Sequence, residues 1–330
     1  MIRTLLSTAL IALGATATTA VTPTTAKAEC GEVTISQMDW ASGLVVTAVS
    51  KFLMEQGYGC KVTTVPTATV PAITSVAETG KPDIVTELWV NSVQVPYQKL
   101  TDEGKIVTLG DVLSDGGVES WLIPTYVAEA HPELKTIEDI KANPGLVGGK
   151  FHNCPVGWAC RKINDNLIKA HGLRDVEGLE IFDHGSGETL ATAIAAAYAD
   201  KAPWFGYYWA PTAILGKYPM ATVDIGEYNA DIHKCNTEDT CATPGKSAYP
   251  AGKVITISTT AFQQANPDVA ELMSNVAFSN KEMGEVLAWQ TDNKASPDEA
   301  AVYFLTNYKD TWGGWLNEAA TKKLGALLNN

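Results

Sequence analysis

Basic residues are scarce in this sequence. Its 330 residues include 24 Lys and Arg against 37 Asp and Glu, which gives a formal net charge of −13. Nucleic-acid binding requires clustered cations that neutralise phosphates, so this deficit argues against a nucleic-acid partner. Long apolar runs are also missing, since none approaches the ~20 residues that a membrane-spanning helix needs. These two absences favour a soluble protein that does not bind nucleic acid.

The motifs of common catalytic and metal sites are absent as well. The sequence has no H-E-x-x-H, no Gly-rich dinucleotide loop and no G-x-S-x-G elbow, and its five histidines show no metal-ligand spacing. Asp183-His184-Gly185-Ser186 brings together the residue types of a catalytic triad. Residues this close in sequence rarely reach triad geometry, and Ser186 is better placed to cap the Ala-rich helix that follows. We therefore predict a protein that is not an enzyme and has no cofactor.

The first 28 residues have the features of a secretion signal. Arg3 provides a basic start, residues 5–15 form a short apolar run, and Ala26-Lys27-Ala28 fits a small-x-small cleavage site. This pattern predicts that residues 1–28 are a signal peptide and that the mature chain begins near Glu29. The expected location is the periplasm.

The six cysteines support an oxidising compartment, because an even number allows complete pairing. Cys154 and Cys160 bracket one short loop, and Cys235 and Cys241 bracket another. Cys30 and Cys60 each open an apolar, strand-like run, and neighbouring parallel strands would bring those starts together. Zinc is the alternative, although the spacings lack a nearby pair of histidines. The predicted disulfides are Cys30–Cys60, Cys154–Cys160 and Cys235–Cys241.

Strand and helix patterns alternate along the chain, which predicts the α/β fold class. Apolar strand-like runs at 33–36, 61–65 and 83–88 are separated by helical patterns at 41–56 and 71–78. This alternation is typical of a parallel, doubly wound sheet. A second such alternation and a helical C-terminal part follow. The predicted division is lobe 1 at 29–122 and 225–330, and lobe 2 at 123–224.

Four tryptophans stand directly after apolar, strand-like runs, in short polar or kinked segments. They are Trp40, Trp89, Trp158 and Trp209. Open α/β sheets bind ligands at their strand ends, so we expect these indoles to converge. Converging aromatic faces suit a cation without hydrogen-bond donors, such as a quaternary ammonium. Packing in the core is the alternative for each indole.

Five segments in chain order resemble the substrate-binding proteins of ABC importers for glycine betaine, choline and related osmolytes. The segments are Trp40 after the first strand together with Trp121, Glu87-Leu88-Trp89, the Gly-Trp loop from Cys154 to Cys160, Tyr207-Tyr208-Trp209-Ala210-Pro211, and the C-terminal run from Trp315 to Ala319. The resemblance implies a type II periplasmic binding protein fold, with a ligand cleft between two doubly wound lobes. It also implies an ABC permease in the inner membrane as partner and a monomeric protein.

The same resemblance implies which residues bind the ligand. Trp40, Trp89, Trp158 and Trp209 match the walls of an aromatic cage, and Trp121 is a further candidate. Some relatives hold the ligand carboxylate with a His at the position of Val93, and this departure favours trimethylamine N-oxide over glycine betaine and choline. A sensor-linked binding protein with the same fold is the alternative function.

Polar partners for the ligand are found next to the tryptophans. Glu87 stands two residues before Trp89, and a carboxylate there suits a protonated N-oxide or balances a cation. Asp39 precedes Trp40, although a solvated or helix-capping role is favoured for it. The amides of Ala159 and Cys160, near the start of a helix, are candidate donors to an anionic oxygen.

Oxygen-bearing side chains gather between residues 227 and 239, beside the predicted Cys235–Cys241 bridge. Loops rich in oxygen ligands can hold calcium, whereas a solvated acidic loop is the commoner alternative. The candidate calcium ligands are Glu227, Asn229, Asp231, Glu238 and Asp239.

Overall fold

Two α/β lobes, each built on a five-stranded sheet, make up the computed structural model, which describes residues 30–328. The predicted signal peptide at residues 1–28 lies outside the described residues. The strands are β1 (Gly31–Met38), β2 (Cys60–Thr67), β3 (Ile84–Trp89), β4 (Ile106–Asp111), β5 (Val118–Pro124), β6 (Lys150–Asn153), β7 (Glu180–Asp183), β8 (Gly206–Ala210), β9 (Met220–Thr222) and β10 (Val254–Thr259).

The helices follow the predicted alternation through both lobes and continue into the C-terminal part. They are α1 (Ala41–Tyr58), α2 (Thr69–Thr79), α3 (Gln94–Asp102), α4 (Thr125–Ala130), α5 (Ile137–Ala142), α6 (Ala159–His171), α7 (Gly187–Asp200), α8 (Ala213–Lys217), α9 (Ala230–Asn236), α10 (Thr260–Ala265), α11 (Pro267–Asn275), α12 (Asn280–Asn293), α13 (Pro297–Asn307), α14 (Lys309–Gly313) and α15 (Glu318–Leu328). Within residues 30–328, no helix is long and apolar enough to cross a membrane.

The first sheet has the strand order β2-β1-β3-β10-β4. Strand β1 runs parallel to β2 and β3, whereas β10 runs antiparallel to β3 and β4. The sheet is therefore mixed rather than wholly parallel as predicted, because β10 enters it on the return from the second lobe. The register pairs Gly31 with Cys60, and the Cys30–Cys60 disulfide joins the two strand starts with a Cα–Cα distance of 4.7 Å.

The second sheet repeats this arrangement in the order β7-β6-β8-β5-β9. Strand β6 is parallel to β7 and β8, and β5 is antiparallel to β8 and β9. In both sheets, the strand supplied by a crossover is the antiparallel fourth strand. Ser186 caps α7 by accepting a hydrogen bond from the Thr189 amide at 3.2 Å, so it serves the helix and not a triad.

The chain crosses between the lobes at two adjacent positions. Gly117 and Gly252 exchange backbone hydrogen bonds of 2.8 Å, and a Cβ on Gly116 would lie 2.4 Å from the Gly252 oxygen. Because β5 begins immediately after Gly117, residues 118–122 belong to the second sheet and not to lobe 1 as predicted. The two backbones come into direct contact at this crossing, and only glycine leaves room for that contact.

The polar segment after residue 224 also departs from the predicted division. It contains α9, which packs against α6 of lobe 2. The Asn166 amide donates to the Asn236 oxygen at 3.0 Å, and the Tyr249 hydroxyl donates to Asn164 at 2.7 Å. Much of residues 225–252 thus lies against lobe 2, and the return to lobe 1 occurs at Gly252. The C-terminal helices α13 and α15 pack on α1 of lobe 1.

Candidate functional site

A small apolar pocket of about 30 Å³ lies between the two lobes. Its walls include the four predicted tryptophans. They also include Ala159 and Cys160, which begin α6. The ten lining residues are Trp40, Thr69, Trp89 and Ser92 from lobe 1, and Glu119, Trp158, Ala159, Cys160, Tyr207 and Trp209 from lobe 2. Both lobes must therefore come together to form this pocket.

Each indole of the pocket lies at a point where a strand gives way to the next element. Trp89 is the last residue of β3 and Trp209 is next to last in β8, while Trp40 and Trp158 directly precede α1 and α6. All four are buried, with exposed fractions of 4–8%. The four tryptophans predicted at strand ends thus lie together in one pocket.

Trp158 is the central ring of this aromatic group. Its centroid lies 5.3 Å from that of Trp40 in lobe 1 and 5.0 Å from that of Trp209 in lobe 2. The interplanar angles are 71° and 82°, so both contacts are edge-to-face. This geometry is favoured for aromatic pairs.

Glycines behind the indoles leave the room that the rings occupy. A Cβ on Gly117 would lie 2.2 Å from Cη2 of Trp89, and one on Gly187 would lie 2.7 Å from Cη2 of Trp158. Neither contact is tolerable without movement of the ring. These two glycines are therefore part of the pocket's construction, although they do not line it.

Glu87 lies behind the pocket wall and not in it. Its buried Oε1 accepts hydrogen bonds from the indole of Trp40 at 2.6 Å and from the Ser42 hydroxyl at 2.7 Å. Its backbone is left-handed, with φ of 52°, at an irregularity in the pairing of β3 with β10. Burial raises the pKa of Glu87 to about 7, and the hydrogen bonds from Ser42 and Trp40 only partly oppose this effect. Glu87 was predicted to contact the ligand, but in the structure its carboxyl group accepts the hydrogen bond of the Trp40 indole.

Asp39 bonds to the opposite lobe. Its Oδ1 accepts a hydrogen bond from the indole N–H of Trp158 at 2.7 Å. No side chain caps α1, so the helix-capping role favoured for Asp39 is wrong. Partial burial raises the pKa of Asp39, and the bond from Trp158 acts in the other direction.

The acidic residue that does line the pocket is Glu119, which the sequence analysis missed. Its Oε1 accepts from the Tyr207 hydroxyl at 2.7 Å, and its Oε2 accepts from the Ser92 hydroxyl at 3.2 Å. Burial raises the pKa of Glu119 to about 7, so near neutrality the group exchanges between an acid that donates and a carboxylate that accepts. Burial also raises the pKa of Tyr207 well above its usual value, with the Glu119 charge as a second cause. A charged residue inside an apolar strand was the available signal.

Trp121 lies outside the pocket, so its proposed place in the cage is corrected. It is fully buried in lobe 2, where its indole donates to Asn164 at 2.8 Å and packs against Phe151 and Phe205. Trp121 follows Glu119 by two residues and therefore shares its face of β5, one step further from the strand end. The extra step moves the ring from the cleft into the core.

The loop from Cys154 to Cys160 contains its predicted disulfide and contacts lobe 1. The Gly157 oxygen accepts a hydrogen bond from the Val70 amide, at the start of α2, at 3.2 Å. Gly157 has φ of 91°, a conformation that favours glycine. The third predicted disulfide, Cys235–Cys241, is present as well.

The candidate calcium ligands do not form a metal site. The Asn229 side chain caps α9 by accepting from the Ile232 amide at 3.1 Å, and Asp239 pairs with Lys162 at 2.7 Å. Across residues 30–328, no three acidic, His or Cys side chains gather in a way that could hold a metal ion. The described residues therefore do not support the calcium alternative, and two of its five candidate ligands are used by a helix cap and an ion pair.

Comparisons with known proteins agree with this architecture. A family model described as the substrate-binding domain of ABC-type glycine betaine transport systems matches residues 31–307. The trimethylamine N-oxide-binding protein of Pelagibacter ubique is 22% identical over 290 residues, which span 85% of this chain and 89% of that protein.

Solved structures share the fold at low identity. A glycine betaine, L-proline ABC transporter binding protein from Borrelia burgdorferi has a TM-score of 0.71 at 17% identity and covers 88% of this chain and 99% of its own. An ABC-transporter choline binding protein in complex with choline has a TM-score of 0.71 at 18% identity, with 90% and 98% covered. Lactococcal OpuAC, closed on glycine betaine, has a TM-score of 0.66 at 18% identity, with 87% and 100% covered.

These likenesses confirm the predicted type II periplasmic binding protein fold. The family model agrees with the prediction of a transport protein rather than an enzyme. Because the family model spans residues 31–307, this chain belongs to the family of substrate-binding domains of ABC-type glycine betaine transport systems.

Proposed function

We propose that this protein captures a trimethylammonium-type osmolyte in the periplasm, with trimethylamine N-oxide as its preferred ligand, and delivers it to an inner-membrane ABC permease. The observation that carries the proposal is the convergence of Trp40, Trp89, Trp158 and Trp209 on one small pocket between the lobes. Indole faces attract cations that cannot donate hydrogen bonds. Each face contributes about 0.5–2 kcal/mol, so four faces together contribute about 2–8 kcal/mol, and the upper end of that range corresponds to micromolar binding at about −8 kcal/mol.

The polar lining favours the N-oxide over glycine betaine. Among the ten lining residues, none is Lys, Arg or His, so the pocket offers no cationic side chain to a ligand carboxylate. Its one acidic lining residue is Glu119, whose pKa of about 7 lets the neutral acid donate to an N-oxide oxygen. The name of the Pelagibacter ubique relative supports the same ligand.

Glycine betaine and choline are the alternative ligands of the same cage. A betaine carboxylate is repelled once Glu119 ionises, and no cationic side chain lines the pocket to offset that repulsion. Choline carries a permanent cation and a hydroxyl that can donate to ionised Glu119. Because the matching family model is described by glycine betaine transport, we nevertheless rank glycine betaine second and choline third.

Isothermal titration with the three ligands at pH 7 tests the proposal. Wild type is expected to bind trimethylamine N-oxide with micromolar affinity, Trp158→Ala to lose measurable binding, and Trp289→Ala to retain it. Trp289 is a suitable control because it stacks on Tyr303 in α13, away from the pocket. Tighter binding of betaine or choline reverses the ligand order. Failure of wild type to bind any of the three refutes the function.

A further inference from the structure

A hydrogen bond between the lobes ends on the central ring of the pocket. Asp39 stands between β1 and α1 in lobe 1, and Trp158 directly precedes α6 in lobe 2. Their 2.7 Å bond joins residues 119 positions apart in the chain. Such a bond forms only when the lobes have come together, so it belongs to the closed state.

The acceptor also determines how the Trp158 ring is turned. An indole N–H lies in the plane of its ring, so a fixed acceptor restrains rotation of that plane. The neighbouring backbone is already docked, because the Gly157 oxygen accepts from the Val70 amide. Asp39 therefore acts on the side chain, and Trp158 in turn contacts both Trp40 and Trp209.

We propose that Asp39 is a positioning residue of the closed state, which orients Trp158 against the bound ligand and slows ligand release. This inference rests on the proposed function. Because the bond forms after the ligand has entered and the lobes have closed, its loss is expected to raise the dissociation rate and to leave the association rate unchanged. Asp39 does not line the pocket, so it acts through Trp158.

Two substitutions separate positioning from simple attraction of a cation by charge. Asp39→Ala removes the acceptor and the charge, whereas Asp39→Asn keeps a carbonyl acceptor of the same size and removes only the charge. If Asp39 works by charge, both variants lose the same affinity. If it positions Trp158, the asparagine largely preserves binding.

The experiment is stopped-flow tryptophan fluorescence with trimethylamine N-oxide. We expect Asp39→Ala to dissociate about tenfold faster, the low end for a bond to a charged acceptor at a partly exposed position. Asp39→Asn should change the rate by about threefold or less, since a neutral acceptor retains roughly half of the bond's strength. Asp102→Ala, in lobe 1, is the matched control because Asp102 bonds only to Gln98 of its own helix and should behave as wild type.

Equal dissociation rates in Asp39→Ala and wild type overturn the proposal, as do equal losses in the Ala and Asn variants. A second readout follows the bond itself. With saturating trimethylamine N-oxide, solvent exchange of the Trp158 indole proton, followed by NMR, should be slow in wild type and Asp39→Asn and fast in Asp39→Ala. Failure of wild type to bind any of the three osmolytes overturns the proposed function, and this proposal with it. Ligand binding by wild type with identical exchange in all three proteins overturns the role of Asp39 alone.

Discussion

Titration of Glu119 should make ligand affinity depend on pH. The carboxyl lines the pocket, and burial raises its pKa to about 7. A neutral acid donates to the N-oxide oxygen, so above pH 7 the complex must first take up a proton. The dissociation constant for trimethylamine N-oxide is therefore expected to rise about tenfold between pH 6 and 8, and about a hundredfold between pH 6 and 9. Choline should show the opposite slope, since its permanent charge favours ionised Glu119.

Isothermal titration at pH 6, 7, 8 and 9 measures this dependence. Repeating the pH 8 and 9 titrations in two buffers of different ionisation enthalpy counts the protons taken up, which should approach one per ligand. Glu119→Gln keeps a donor and cannot titrate, so its affinity should be independent of pH. Thermal melts at each pH verify that the protein is folded. A pH-independent affinity of wild type would refute the assignment of the donor to Glu119.

Two further predictions concern residues behind the pocket wall. Burial raises the pKa of Glu87 from 4.5 to about 7, so its ionisation should lower the free energy of unfolding by about 3 kcal/mol as pH rises from 4.5 to 7. Glu87→Gln should therefore flatten part of the fall in melting temperature between pH 5 and 8. An unchanged slope in this variant contradicts the prediction. Gly117→Ala should weaken osmolyte binding at least tenfold, because its Cβ would displace the Trp89 indole. Gly145→Ala, whose Cβ enters open space, is the control in the same titration. Equal ligand affinities of Gly117→Ala and wild type argue against a packing role for Gly117.

Much of the α/β framework could be predicted because its signals are local. The strand predicted at 83–88 lies within one residue of β3 at each end, and the helix predicted at 41–56 begins with α1 and ends two residues before it does. Gly59 ends α1 in the left-handed conformation that glycine favours. The Cys30–Cys60 pairing followed from the neighbouring starts of two parallel strands, a relation that holds without knowledge of side-chain packing.

The face and depth of a residue in β5 could not be predicted in this way. Trp121 and Glu119 alternate correctly for one face of a strand, yet only Glu119 reaches the pocket. The antiparallel register places Glu119 opposite Trp209, near the strand end, and Trp121 opposite Tyr207, two residues further into the sheet. Register depends on pairing between segments almost 90 residues apart, which local patterns do not contain.

The lobe to which the polar segment at 225–252 belongs could not be predicted for a different reason. It is held by specific hydrogen bonds and not by an apolar periodicity. The Asn236 amide donates to the Gly245 oxygen at 2.9 Å, and the Ser247 hydroxyl accepts from the Asn229 amide at 3.0 Å. Such contacts use residue types that are equally common in solvated loops, so their partners emerge only from the folded structure.

The roles of the two acids next to pocket tryptophans show where adjacency in sequence misleads. Asp39 precedes Trp40 but accepts from Trp158, while Glu87 stands near Trp89 and accepts from Trp40. A buried indole N–H without an acceptor is costly, so an aromatic pocket must include acceptors behind its rings. Because strand ends from different parts of the chain converge, the nearest acceptor in space is supplied by another segment. An acid beside a predicted cage tryptophan is therefore better tested first as a support for a second ring than as a ligand for the cation.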